Sequence, residues 1–264
     1  MSSDASTFYL GVHHPDWIHG RGRWLRGQPM FVSYRTIRDR RALFPADRRW
    51  ALDSGGYTEL RKHGTWTITP ADYAADVARY TDQIGHLDWA AIQDWMCEDD
   101  ALKATGLTVA DHQALTIANL LDLRTIAAHL RWTPVLQGRT ADDYRRHRDA
   151  YAAAGIDLTA EPVVGLGSVC RRQSTRPVHD LIRELAADGI RLHAFGFKAT
   201  GLMAVGEHLH SADSMAWSYA ARRTPADPLC APFHPRCSNC PRFAHLWMER
   251  LTTRMATRGL DLAA

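Results

Sequence analysis

Long apolar runs are missing from this chain of 264 residues: nowhere does it approach the roughly 18 consecutive apolar residues that a membrane-crossing helix needs. The opening MSSDASTFYL has neither a basic segment nor an apolar stretch of the kind a secretory leader requires, so the chain is expected in the cytoplasm. Cysteine is scarce, and its five residues are an odd number that cannot all pair. Three of them, Cys230, Cys237 and Cys240, crowd into one short segment, which in a cytoplasmic chain favours a metal over a disulfide framework. Net charge is low as well, +3, too mild to establish a polyanionic partner. With 18 Gly, 12 Pro, 45% hydrophobic and 23% charged residues, disordered, collagen-like and coiled-coil classes fall away. No Gly-x-Gly-x-x-Gly opens a helix after the first strand and no Walker phosphate loop occurs, so nucleotide-binding folds lose support. No sequence repeat of about 20–50 residues stands out.

What is present is an alternation. Short β-prone runs recur at Phe8 to Val12, Met30 to Tyr34, Trp50 to Asp53, Trp89 to Gln93, Trp132 to Gln137, Val163 to Gly167, Leu192 to Phe197 and about Leu209 to Asp213. Amphipathic segments lie between them. Tyr73, Val77, Tyr80 and Ile84 share one helical face, opened by Thr69, Pro70 and Asp72 as N-cap, first-turn proline and third-position acid. Thr108 with Asp111, and Thr140 with Asp143, repeat that capping arrangement, and Val178, Leu181, Ile182 and Leu185 stand at helical spacing. Strands alternating with helices imply a parallel sheet, because parallel strands need a crossover. Eight units predict an α/β fold, a (βα)8 TIM-like barrel over residues 1–224, ahead of an open doubly wound sheet. From Pro225 the composition turns to Pro, Cys and Arg, and residues 225–264 are expected to be a zinc-binding segment with a C-terminal helix from about Pro241 to Arg258, packed on the barrel.

In such a barrel the chemistry sits where strands end. Those positions carry three carboxylates, Asp53, Asp94 and Asp213. An Asp after a strand is often only the N-cap of the next helix. Asp53 is less easily explained so, because Gly55 and Gly56 follow it and let the backbone approach a flat ligand or offer free N–H groups. Two or three carboxylates facing one pocket suit chemistry at a sugar anomeric carbon, one as nucleophile and another moving a proton. Gln137 with Gly138, and the glycines at Gly165 and Gly167, offer amide and backbone groups that read the edge of a base or sugar. The same set would serve a metal-dependent hydrolase or lyase, with His13 and His14 as ligands beside Asp53 or Asp213, although no His-x-His pair marks the first strand.

Asp53-Ser54-Gly55-Gly56-Tyr57 resembles the Asp-Ser-Gly-Gly-aromatic signature of the tRNA-guanine transglycosylases, a (βα)8 family that exchanges guanine for a 7-deazaguanine base through a covalent glycosyl-enzyme intermediate. Ile92-Gln93-Asp94, Val135-Leu136-Gln137-Gly138 and Gly165-Leu166-Gly167-Ser168 follow in the family's order, with Asp213 where its nucleophilic aspartate would lie and a Cys cluster after it. The resemblance implies that Asp213 attacks C1′, that Asp53 is the general acid/base, and that Asp94, Gln137, Gly138, Gly165 and Gly167 bind the base beside Ser54, Gly55 and Gly56. It also implies that Tyr57 stacks on the base, a buried core tyrosine being the plain alternative. A structural Zn(2+) is expected on Cys230, Cys237, Cys240 and His245, with His234 as alternate. Cys97 and Cys170 are expected to be free thiols.

The chain is shorter than the tRNA enzymes, and Val169-Cys170-Arg171-Arg172 replaces the family's Gly-Glu loop ending. Both features look more like the DNA-modifying, DpdA-like branch found in phages and genomic islands. The expected activity is therefore a DNA-guanine transglycosylase inserting a base such as 7-cyano-7-deazaguanine, with tRNA the alternative substrate. Nine arginines between Arg21 and Arg49 face only Asp39 and Asp47, although a GC-rich genome alone raises arginine. Arg21 and Arg23 in that cluster, with Arg171 and Arg172, are expected to contact phosphates. A homodimer or accessory DNA-modification proteins are possible partners.

Overall fold

Period-two alternation sorts the strand residues into two cores. The structure, a computed structural model, describes residues 6–20 and 23–263. In β1 (Ser6–Val12), Phe8, Leu10 and Val12 pack outward against the helices while Tyr9 joins the inner cluster. The pattern repeats in β2 (Met30–Ser33), β3 (Trp50–Asp53) and β4 (Leu87–Ala91), where Met30, Val32, Trp50 and Leu52 face out and Phe31, Ala51, Trp89 and Ala91 face in. After these come β5 (Trp132–Thr133), β6 (Val135–Leu136), β7 (Val164–Leu166), β8 (Leu192–Ala194), β9 (Ser211–Ser214) and β10 (Leu262–Ala263).

Every pairing is parallel, in the order β5-β4-β3-β2-β1-β9-β8-β7-β6. The two ends of that order are halves of one stave. Pro134 separates them, and lacking an N–H it cannot extend a ladder in both directions. β5 therefore pairs with β4 and β6 with β7, while the Pro134 carbonyl accepts from the Gly165 N–H at 2.8 Å. The ring thus closes as an eight-stave α/β barrel, as the alternation predicts. β10 adds a short parallel pairing to the start of β1, Ser6 with Leu262 and Thr7 with Ala263.

The helices are α1 (Tyr34–Ile37), α2 (Gly56–His63), α3 (Pro70–Gln83), α4 (Asp99–Thr105), α5 (Val109–Ile126), α6 (Ala141–Ala153), α7 (Arg176–Ala187), α8 (Ala199–Val205), α9 (Ala216–Ala221) and α10 (Pro241–Ala256). Thr69 caps α3 by accepting from the Asp72 N–H, and full capping boxes open α5 and α6 at Thr108/Asp111 and Thr140/Asp143. Val178, Leu181, Ile182 and Leu185 of α7 are all buried, each apolar side chain contributing about 1.5–3 kcal/mol of transfer free energy. α10 lays Ala244, Met248, Leu251 and Met255 into the same outer core, so the tail shares the barrel's packing. Among the described residues no helix is long and apolar enough to cross a membrane.

Candidate active site and metal centre

The barrel interior is plugged from below by aromatic rings. Tyr9, Phe31, Trp89 and Phe195 pack around the fully buried His193, with ring centroids 4.7–5.9 Å from it. Above this floor lies a cavity of about 600 Å³ at the C-terminal ends of the strands. Asp53 ends β3, Asp213 lies one residue from the end of β9, and Asp94 follows β4 by three residues; all three line the cavity.

Each carboxylate has its own surroundings. Asp213 is buried; its Oδ1 accepts from the Gly196 N–H at 2.8 Å, and His193 Nε2 lies 3.4 Å away. Gly196 sits at φ 63°, and a side chain there would be strained, with its Cβ 3.1 Å from that of Cys170. Asp213 thus has a backbone donor inside the pocket. Burial pushes Asp53 up to about 6: the Ser33 hydroxyl opposes the rise, the Asp213 charge adds to it, and the Gly55 N–H and Arg35 oppose it. Asp94 goes higher, to about 7, through burial and then the charge of Asp53, although Gln137 Nε2 at 2.5 Å and Ser54 Oγ at 3.1 Å donate to it. Neighbouring carboxyls at different points of titration are the arrangement that lets one hold a proton while another stays charged.

The glycines divide by use. Gly55 takes φ 82° and precedes α2; Gly55, Gly56 and Gly167 all line the cavity. A Cβ on Gly167 would stand 2.2 Å from Gln137 Nε2, so the absent side chain is what gives Gln137 its path to Asp94. Gly138 and Gly165 do not line the cavity. Gly165 makes room for the Phe195 ring, and Gly138 lets the chain pass Asp143 and Tyr144. Ser54 likewise supports Asp94 without lining the cavity.

At the mouth, Tyr57 carries the guanidinium groups of Arg61 and Arg171 over its ring at 5.1 and 5.4 Å and donates its hydroxyl to Asp100 at 2.8 Å. Arg171 is exposed there, its guanidinium donating to the Tyr57 hydroxyl and lying 3.4 Å from Asp100. Arg172 is not available in the same way: its guanidinium donates to the carbonyls of Ser168, Gly138 and Arg139 and to the Tyr144 hydroxyl, clamping two loops together. Much of the Arg21–Arg49 cluster is also engaged, Arg38 with Glu59, Arg40 with Asp16, Arg48 with Asp47 and Arg49 with Asp88. Arg35 alone of that cluster lines the cavity among the described residues. Arg21 lies outside the described residues, as does the Arg23 side chain.

Sequence reasoning missed Glu98. It follows Asp94 by four residues as the N-cap of α4, and reads in sequence as an ordinary first-turn acid of a Glu98-Asp99-Asp100 run. Folding brings its Oε2 to 2.7 Å from Ser168 Oγ on the cavity wall. His13, weighed as a metal ligand, instead meets Ser218 at 3.0 Å and Arg222 at 2.7 Å.

A cluster that could hold a metal ion lies in the tail. Ligand atoms of Cys230, His234, Cys237 and Cys240 all fall within 4.8 Å of one another, and it is the one such group among the described residues. Zinc–sulfur bonds of about 2.3 Å in a tetrahedron place sulfurs about 3.8 Å apart. Cys230 and Cys240 Sγ are 3.8 Å apart, and His234 Nε2 is 3.5 Å from Cys237 Sγ. All three thiols are free and buried, and burial together with Cys240 pushes Cys230 up to about 12, so a cation would be needed to hold Cys230 as a thiolate. The fourth ligand position corrects the sequence expectation. His245 lies in the first turns of α10 and turns away, to Glu249 at 3.4 Å and the Trp24 ring, whereas His234 sits in the loop between the cysteines and closes the set.

None of the curated proteins matches the chain. The model of the family described as DeoxyPurine in DNA protein A matches residues 5–261. Spanning nearly its whole length, that match establishes that the chain belongs to the DpdA family of DNA-modifying transglycosylases, relatives of the tRNA-guanine transglycosylases.

Proposed function

We propose that the chain is a DNA-guanine transglycosylase that exchanges guanine in DNA for a 7-deazaguanine base, such as 7-cyano-7-deazaguanine, through a covalent aspartyl-glycosyl intermediate. The observation that carries the reading is the convergence of Asp53, Asp94 and Asp213 on one cavity with an aromatic floor, in a member of a DNA-modifying family. Asp213, charged and held by the Gly196 N–H, attacks C1′ as the C1′–N9 bond breaks. Guanine leaves with a proton supplied by Asp53, whose carboxyl near 6 is poised to give one and take one back. The incoming base loses its N9 proton to Asp53, its N9 attacks C1′, and the aspartyl ester breaks to restore Asp213. Atoms and protons balance over the two halves, and no redox partner is required.

Asp94 in its ionised form accepts from the N1–H and 2-amino groups of the base, while Gln137 donates to O6 and Gly167 leaves space beside it. Tyr57 stacks on the base or its neighbour at the mouth, and Arg171 meets a phosphate there. A duplex substrate must first release the target nucleotide from the stack. Cys230, His234, Cys237 and Cys240 fit a structural Zn(2+), which would staple residues 225–264 to the barrel and take no part in the exchange.

The test is to offer labelled guanine and labelled 7-cyano-7-deazaguanine to the purified chain with duplex DNA, single-stranded DNA and tRNA, and to trap the covalent adduct by denaturation. Label entering DNA alone, with an adduct on Asp213, is the expected result. Label entering tRNA instead overturns the substrate assignment, and exchange without an aspartyl adduct overturns the intermediate.

A further inference from the structure

The exchange just described leaves Glu98 without a role. Its carboxyl lies where the active cavity meets a neighbouring cleft of about 690 Å³, and it lines both together with Ser168 and Arg171. Ser168 Oγ accepts from the Cys97 N–H at 2.9 Å and stands 2.6 Å from Gln137 Oε1 and 2.7 Å from Glu98 Oε2. A hydroxyl has one proton and can satisfy only one of those two oxygens. Gln137 cannot supply the other while its amide nitrogen serves Asp94, so a protonated Glu98 completes the chain. Burial raises the Glu98 carboxyl above its usual range in the same direction, the Ser168 bond and Arg171 opposing and Asp100 adding to the rise. Ser168 is itself held at φ 56°, a left-handed conformation that a serine keeps only where its surroundings fix it.

We propose that Glu98 is the specificity-determining residue for the substituent on position 7 of the incoming base. The proposal rests on the base-exchange reading and names the part of the substrate that reading leaves open. Around guanine and its 7-deaza analogues the polar edge runs from the 2-amino group through N1–H to O6, and position 7 comes next. Along the cavity wall the hydrogen-bonded chain runs Ser54, Asp94, Gln137, Ser168, Glu98. With Asp94 on the N1 edge and Gln137 on O6, Ser168 and Glu98 are the next groups met, and they face position 7. The one carboxyl proton serves Ser168, so a substituent finds there the second oxygen, Oε1, which Ser168 does not use and which accepts from the N–H of a group ending in an amide or amine. Unsubstituted bases place nothing polar against it. A site built to bond such a group discriminates against the base that lacks it, because its own polar atoms are then left unpaired.

The experiment measures calorimetric binding of the 7-carboxamide of 7-deazaguanine and of plain 7-deazaguanine to the zinc-loaded chain, with exchange into DNA followed in parallel. Wild type is compared with Glu98→Ala and Glu98→Gln. Loss of preference is the expected result: Glu98→Ala weakens the 7-carboxamide base by about tenfold or more and the plain base by less than about threefold. Glu98→Gln, which keeps the size, a donor to Ser168 and an accepting oxygen, holds the ratio within about threefold of wild type. Equal losses for both bases, as a merely structural role would give, or an unchanged ratio in both variants, overturn the proposal and leave the base-exchange reading intact. Failure of the wild type to bind either base overturns that reading and the proposal with it.

Discussion

The strand-end cavity and the Cys/His knuckle both crowd acidic side chains together, and they do so with opposite outcomes. In the cavity, Asp53, Asp94 and Asp213 share a pocket with neutral donors, and Arg35 at its edge is the nearby cation that opposes the rise at Asp53, so burial, with the neighbouring carboxylate adding to it, raises Asp53 and Asp94 to about 6 and 7. In the knuckle, three thiols and a histidine stand at the spacing of a tetrahedral ion that would neutralise them. Uncompensated crowding keeps protons mobile, as proton transfer requires. Compensated crowding fixes geometry, as a staple requires. One region should therefore govern rate with little effect on stability, and the other the reverse.

The sharpest way to break that division is Asp213→Asn. Base exchange should fall by about 10³-fold or more, with metal content and melting temperature nearly unchanged; a melting temperature that falls in step with activity would make Asp213 structural. The knuckle should respond in the other sense. Cys240→Ser is expected to lose the bound metal equivalent and about 2–4 kcal/mol of stability by thermal denaturation, whereas His245→Ala should retain the metal, as read by atomic absorption. Retention by His234→Ala and loss by His245→Ala would reverse the ligand assignment made from the geometry.

The smallest effect concerns pH. Asp53 titrates at about 6 in the folded chain, above the ordinary 3.8, so its neutral form is the one the fold prefers. Its contribution is fully favourable below about pH 4 and is lost as pH rises through 6. Asp53→Asn should accordingly gain on the order of 1–2 kcal/mol relative to wild type between pH 5 and pH 8, while exchanging bases poorly. Denaturant melts at the two pH values check this, and a pH-independent difference would show that the Asp53 carboxyl is not held high.

The barrel was legible in the sequence because period-two strands and capped helices are local signals. Thr69, Thr108 and Thr140 do in three dimensions what their spacing predicts. Strand limits were less so: the fourth strand runs Leu87–Ala91 where Trp89 to Gln93 was expected, and Pro134 splits the fifth, since pairing partners and not propensity end a ladder. Asp53, Asp94 and Asp213 could be placed at strand ends from sequence alone. Glu98 could not, because its role depends on a bond to Ser168 seventy residues away. His245 illustrates the same limit from the other side: order along the chain suggested it, but a helical residue points where the helix surface points, and here that is toward Glu249.

The pairing of Ser6 and Thr7 with Leu262 and Ala263 joins the two most distant parts of the chain. During synthesis the β2 partner of β1 is made early, but its other edge has no partner until residues 211–214 of β9 leave the ribosome, and β10 follows only some fifty residues later. Closing a loop of that length costs about 5 kcal/mol in chain entropy, so these contacts come last. Through most of its birth, then, the nascent barrel carries an open seam beside Tyr9, and the order in which the chain is made leaves the stave that flanks Asp213 among the last to be sealed.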